Sequence, residues 1–276
     1  MCGTGTVSCH NGLWYDLIMT MTAEVALQKK NPAAQSQSLL SQKPIPRKER
    51  LIFALDVPST DDAKALVAEL GDSVVFYKLG LQIFLAPGFY ELIQWLREKD
   101  KKIMIDLKLF DVPETVKSAI SQLKNKGIHF ATVHGNDGIM RAAVEAKNGV
   151  KILAVTVLTS LDEADLRDLG FQCDAKTLVL SRAKRALEIG CDGVISSGLE
   201  APELRREHGE NFLIVSPGIR PLENRTQDDQ KRIATVEEAF VGGADYIVVG
   251  RPIRDAKNRK AAAEEIQRTI AALFEK

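Results

Sequence analysis

Net charge is the first thing this sequence lacks. Its 37 Lys and Arg balance 37 Asp and Glu, so no uniform positive field exists to hold nucleic acid or an anionic membrane surface. A local anion site is compatible with that balance. Cysteine is scarce: the four cysteines, at 2, 9, 173 and 191, form no C-x-x-C pair and no metal-ligand spacing. That fits a reducing cytoplasm and argues against a disulfide framework. Long apolar runs are missing too, none exceeding six residues, where a bilayer span needs roughly 18. The few aromatics include Phe84, Phe89, Tyr90 and Trp95, which read as core or subunit interface rather than base-stacking positions.

What is present is ordinary globular composition, 45% apolar and 27% charged, which excludes collagen-like and disordered classes for the chain as a whole. A length of 276 residues suits one large domain such as a (β/α)8 barrel, typically about 250 residues. Residues 1–49 read differently: Met1 to Met21 has no clear period, and Asn31 to Pro46 is rich in Gln, Ser, Ala and Pro. This predicts a poorly ordered N-terminal extension ahead of a barrel domain over 50–276. Leu13 to Met19, interrupted by Asp16, is too short for the apolar core of a secretory signal. The extension reads as a leader without function, with Met19 or Met21 as an alternative start.

From Leu51 onward, short apolar runs alternate with longer amphipathic stretches, the pattern of βα units around a parallel sheet. Eight runs qualify as strands: Leu51–Asp56, Val74–Leu79, Lys102–Leu109, Phe130–His134, Ile152–Leu158, Gly193–Ser197, Phe212–Pro217 and Tyr246–Gly250. Helical patterns between them include Thr60–Leu70, Phe89–Lys99, Pro113–Lys126, Thr177–Ile189 and Val236–Val241. Eight such units in one chain predict a closed (β/α)8 TIM barrel, whose reacting groups sit at the C-terminal strand ends.

Those ends are charged. In the third strand, period-two alternation sets Met104, Asp106 and Lys108 on one face and Ile103, Ile105, Leu107 and Leu109 on the other. The apolar face must meet the helices, so the Asp and Lys point into the barrel. The same logic places Val74, Phe76 and Lys78 inward on the second strand, and Ile52, Ala54 and Asp56 on the first. Asp111 falls just beyond the third strand, within reach of a shared site or a subunit boundary. Charges gathered in a partly dry mouth are costly unless paired, a contact pair contributing on the order of 4 kcal/mol at an effective dielectric near 20. Such clusters mark functional clefts. A lysine held between carboxylates stays protonated and can act as a general acid.

The other end of the sequence offers an anion grip. Strand seven runs into S-P-G-I-R and strand eight into V-V-G-R-P, and loops after these strands commonly bind phosphate in barrels. Gly250 permits close backbone approach and Arg251 a forked, charge-assisted contact. The polar stretch from Arg220 to Thr235, which contains Gln230, is long for a barrel connection and is expected to act as a lid. None of the histidines has a ligand spacing, and His134 reads as structural.

Seven motifs in order, A-L-D (54–56), Y-K-L-G (77–80), D-L-K-L-F-D-V-P-E-T (106–115), V-T-V-L-T-S (155–160), P-G-I-R (217–220), D-Q-K-R-I (229–233) and V-G-R-P (249–252), closely resemble the orotidine 5'-phosphate decarboxylase family over about residues 50–272. The resemblance implies cofactor-free, metal-free conversion of orotidine 5'-phosphate to UMP and carbon dioxide in pyrimidine nucleotide synthesis. It assigns Lys108 as proton donor to C6, Asp106 to a place beside the substrate carboxylate, and Lys78 between Asp106 and the ribose. It further implies that Asp111 reaches the site of a partner in a homodimer, that Asp56 holds ribose hydroxyls, and that Thr159 or Ser160 meets the pyrimidine edge. Arg220, Gln230, Gly250 and Arg251 fall at the phosphate, and Thr115 matches a ligand position.

Three rivals share parts of this pattern. Hexulose-phosphate synthase and keto-gulonate-phosphate decarboxylase share D-x-K-x-x-D but use magnesium and place an acidic ligand near the end of strand two, where this chain has Lys78. An aldolase would use Lys108 as a Schiff-base nucleophile. A non-catalytic phosphate-binding barrel would need only the Arg251 end.

Overall fold

The computed structural model describes residues 38–220 and 232–275. Eight parallel strands close into a barrel in chain order. They are β1 (Leu51–Ala54), β2 (Phe76–Leu79), β3 (Lys102–Leu109), β4 (Phe130–His134), β5 (Lys151–Val155), β6 (Gly193–Ile195), β7 (Leu213–Ser216) and β8 (Tyr246–Val249). Because β1 pairs with both β2 and β8, no strand edge is left open. The fold is the (β/α)8 barrel that the alternating pattern predicts. Several strands stop short of their expected C-terminal ends because those residues leave the ladder to build the barrel mouth.

Local chemistry sets the helices. Ser59 caps Thr60–Leu70 by accepting from the Asp62 amide, and Thr235 with Glu238 forms a reciprocal capping box on Val236–Val241. The helix expected over Pro113–Lys126 ends at Ser121. Beyond it, Asn125 and Gly127 adopt left-handed conformations that no helix continues through.

Two apolar clusters result. The larger fills the space between strands and helices, and the smaller packs the barrel interior with Ile52, Ala54, Phe76, Met104, Phe130, Leu153, Val155, Ile195, Leu213, Val215, Tyr246 and Val248. Phe76, Phe130 and Tyr246, the first residues of even-numbered strands, meet with ring centroids 5.1 to 6.0 Å apart and plug the N-terminal end. The remaining even-numbered strand, β6, begins with Gly193, where a Cβ would lie 2.4 Å from the Leu213 carbonyl oxygen. One expectation fails: Val74 packs in the outer cluster rather than inside, because β2 begins only at Phe76 and the alternation does not extend back to it.

Residues 1–37, which carry most of the expected extension, lie outside the described residues. Residues 38–49 do not behave as part of an extension, since Ser38–Lys276 forms one compact unit. The Leu39 amide donates to Val241 O at 2.9 Å, and Ser41 and Lys43 reach the fully buried Asp245 at 2.5 and 3.0 Å. Asp245 also accepts from Arg205 at 2.6 Å, so this buried charge is paired and hydrogen-bonded rather than stranded. Cys173 and Cys191 are free thiols, and burial pushes the Cys191 thiol up to about 12, away from reactivity. Among the described residues, no helix is long and apolar enough to cross a membrane.

Candidate active site

At the C-terminal ends of β1 to β3 the apolar filling gives way to a chain of alternating charges. Asp56 Oδ1 lies 3.2 Å from Lys78 Nζ, which lies 3.4 Å from Asp106 Oδ2, which in turn lies 3.0 Å from Lys108 Nζ. Asp106 and Lys78 are buried, their side chains 9% and 11% exposed, whereas Lys108 and Asp56 at 37% open toward solvent. Burial alone raises a carboxyl and lowers an amine, yet here the partners outweigh it. Lys78 and Lys108 hold the Asp106 carboxyl below the usual range, and Asp106 with Asp56 holds the Lys78 amine above its own. Asp106 and Lys78 are therefore both ionised near neutrality, and the more exposed Lys108 amine faces the opening.

The local sequence explains the placement. Lys78 and Asp106 follow the inward-facing Phe76 and Met104 by two residues. Gly80, beside them, has no Cβ for a physical reason: one would lie 2.9 Å from Lys78 Nζ and 3.1 Å from Asp56 Oδ1. Thr132, buried in β4, accepts from the Lys108 amide at 2.9 Å and donates to Asp106 Oδ1 at 2.8 Å.

These groups line one side of a cavity of about 570 Å³. Thr159 and Ser160, after β5, line it together with Pro217, Gly218 and Arg220 after β7 and Gly250 and Arg251 after β8. Its floor is apolar: Ala54, Met104, Val155, Ile195 and Val248. Arg254, one helical turn beyond Arg251, also lines the cavity and donates to Asp56 O at 3.2 Å. Among the described lining residues two carboxylates stand against five cations. An apolar floor with a cationic excess suits a flat organic ligand that carries more than one negative charge.

The loops around the mouth are fastened by Arg232, whose guanidinium pairs with Glu200 Oε1 at 2.6 Å and donates to the carbonyls of Val157 and Leu158 at 2.9 Å. The described feet of the long connection after β7 are held together, since the Arg220 amide donates to Ala234 O and the Ala234 amide to Gly218 O.

Residues 49–266 match the orotidine 5'-phosphate decarboxylase / HUMPS family. This chain belongs to that family. It is 60% identical over 237 residues to the orotidine 5'-phosphate decarboxylase of Methylococcus capsulatus, covering 86% of this chain and 98% of the relative. The enzyme of that name from Nitrobacter winogradskyi is 49% identical over 226 residues, 81% of this chain and 93% of its own. The crystal structure of orotidine 5'-phosphate decarboxylase from Lactobacillus acidophilus superposes with a TM-score of 0.71 at 36% identity, covering 80% of this chain and 99% of that one.

Not every residue that the family motif suggested enters this cavity. Asp111 is exposed, its Oδ1 accepting from the Val112 amide at 2.6 Å, and Thr115 is exposed in the following helix. Neither lines the cavity within one chain. Gln230 and most of the expected lid lie outside the described residues. His134 sits beyond the cavity, its Nδ1 3.2 Å from Asn136 Oδ1 and its ring against Phe110, which suits the structural reading.

The sequence assigns no role to Thr132 or Arg254, nor to Gly80 and Arg232, although the last two fall within the Y-K-L-G and D-Q-K-R-I motifs. Arg254 was legible as the second arginine of R-P-I-R, and Thr132 as the lone hydroxyl on the inward face of F-A-T-V-H. The role of Arg232 depends on carbonyls far away in sequence, and nothing local announces it.

Proposed function

We propose that this chain decarboxylates orotidine 5'-phosphate to UMP with no metal or organic cofactor, as a cytoplasmic homodimer. The observation that carries this reading is the paired chain Asp56, Lys78, Asp106, Lys108 at one side of a cationic cavity. In the reaction the bond from C6 to the carboxyl carbon breaks, carbon dioxide leaves, and the electron pair stays on C6 in an orbital the ring delocalises poorly. The Lys108 ammonium stabilises that pair and transfers a proton to C6, giving UMP; solvent then reprotonates the amine. Asp106 stands beside the departing carboxylate and pairs with Lys108. Lys78 and Asp56 hold the ribose, and Thr159 or Ser160 meets the pyrimidine edge. Arg251, Gly250, Arg220 and Gln230 grip the phosphate, and that remote binding energy helps to organise the reacting end.

Two ammoniums already share Asp106, which opposes recruitment of a divalent cation there and disfavours the magnesium-dependent relatives. The dimer reading rests on Asp111, exposed between Phe110 and Val112, which are themselves 67% and 63% exposed. Such a patch favours burial against a second copy. Thr115 lies in the helix that follows and is assigned to the same shared site.

The test is Lys108→Ala. Turnover should fall by at least roughly 10⁴-fold, as for loss of a central proton donor in a preorganised site, while circular dichroism and UMP binding persist. Near-normal kcat would remove Lys108 from the mechanism.

A further inference from the structure

β3 and β4 leave register where the chemistry sits. Ile105 pairs with Ala131, yet the next pairing joins Leu109 to Val133, so β3 carries extra residues over this interval. Lys108 absorbs the irregularity with a φ of 46°, a left-handed conformation that a non-glycine residue adopts only at an energetic cost. With no ladder partner in register, its amide donates instead to Thr132 Oγ1 at 2.9 Å. The same hydroxyl has one proton, and it points to Asp106 Oδ1 at 2.8 Å. The other carboxylate oxygen, Oδ2, faces Lys108 Nζ at 3.0 Å and Lys78 Nζ at 3.4 Å. Thr132 is 1% exposed and is not among the residues that line the cavity, while its two bonds reach Lys108 and Asp106, which are.

We propose that Thr132 is a positioning residue for the decarboxylation assigned above, its hydroxyl fixing both the kinked backbone of Lys108 and the orientation of Asp106. The inference rests on that assignment. A buried β4 side chain outside the cavity lining then helps to set the rate. Polarity makes the link directional. An amide can only donate, so Oγ1 must accept from it and must send its proton to Asp106. Every donor around Asp106 therefore favours the carboxylate form. Without the hydroxyl, a buried amide and a buried carboxylate oxygen both lose a partner. Lys108 is then free to relax toward regular strand geometry and swing its ammonium away. The ribose and phosphate grips on the other strands stay in place, so the loss belongs to the transition state rather than to substrate binding.

The experiment compares Thr132→Val and Thr132→Ser with wild type in steady-state turnover of orotidine 5'-phosphate, with UMP affinity measured alongside. Valine keeps the shape and deletes the hydroxyl; serine keeps the hydroxyl. The expected result is a kcat roughly 10- to 100-fold lower for valine, KM and UMP affinity within about threefold of wild type, and recovery of most of kcat by serine. If valine fails to fold, Thr132→Ala against Thr132→Ser provides the same contrast. The inference is overturned if the hydroxyl-free variant keeps kcat within about threefold of active wild type, if its loss lies wholly in KM, or if serine is as impaired as valine. Wild-type protein that does not convert orotidine 5'-phosphate overturns the decarboxylase assignment itself and this inference with it, an outcome separable from the others.

Discussion

A lysine and an aspartate two positions apart on a strand are common; what sets Asp106 apart is that its buried carboxyl is held below its ordinary range by Lys78 and Lys108 together. The sign of the resulting pH dependence follows directly. Asp106 titrates below its ordinary 3.8 in the folded chain, so its contribution to stability is complete above that value and is lost as pH falls through the lower, folded one. Lys78 titrates above its ordinary 10.5, so its contribution is complete below that value and is lost as pH rises through the higher, folded one. Between about pH 5 and 9 the contribution of the cluster is flat. Asp106→Asn leaves two ammoniums without their buried counter-charge and should cost about 3–5 kcal/mol in that window. Urea unfolding of both proteins from pH 3 to 9 checks this: the gap should narrow below about pH 4. A gap constant across the whole range would mean that ionisation of Asp106 is not its source.

At the scale of elements, Arg232 ties the end of one mouth loop to two others through Glu200 and the carbonyls of Val157 and Leu158. Arg232→Met strands a buried carboxylate and frees the segment that carries Thr159 and Ser160. We expect a loss of about 2–4 kcal/mol and a higher KM, measured by thermal unfolding and steady-state kinetics. Adding Glu200→Gln should return part of the stability, and no recovery would show that the pair is not what Arg232 supports. The strands themselves were legible because inward and outward faces alternate as burial demands: Ile52, Phe76 and Met104 lie inside, and Lys78 and Asp106 follow on the same faces. Alternation placed Lys108 in the mouth as well, but its left-handed backbone was not legible, since that depends on a register shift against β4. Nor was the anchoring of residues 38–49, whose polar composition resembles a linker until Ser41 and Lys43 find Asp245 some 200 positions away.

For the whole molecule, the site of a single chain contains Lys108 and Asp106 but not Asp111, and apolar residues such as Leu81 and Leu85, 62% and 79% exposed, remain uncovered. If two chains share each site, Lys108→Ala and Asp111→Ala damage different halves. Mixed and re-equilibrated, the two inactive proteins should regain activity, because a heterodimer rebuilds one intact site beside one doubly damaged one. Mixing with no gain would place Asp111 outside the partner's site. The reaction itself is tested most directly by UMP formation from orotidine 5'-phosphate by the purified chain after exhaustive EDTA treatment. Stoichiometric UMP and carbon dioxide are expected at an undiminished rate, with Lys108→Ala silent under the same conditions. No UMP, or UMP formed only when a divalent metal is restored, would contradict the decarboxylase assignment.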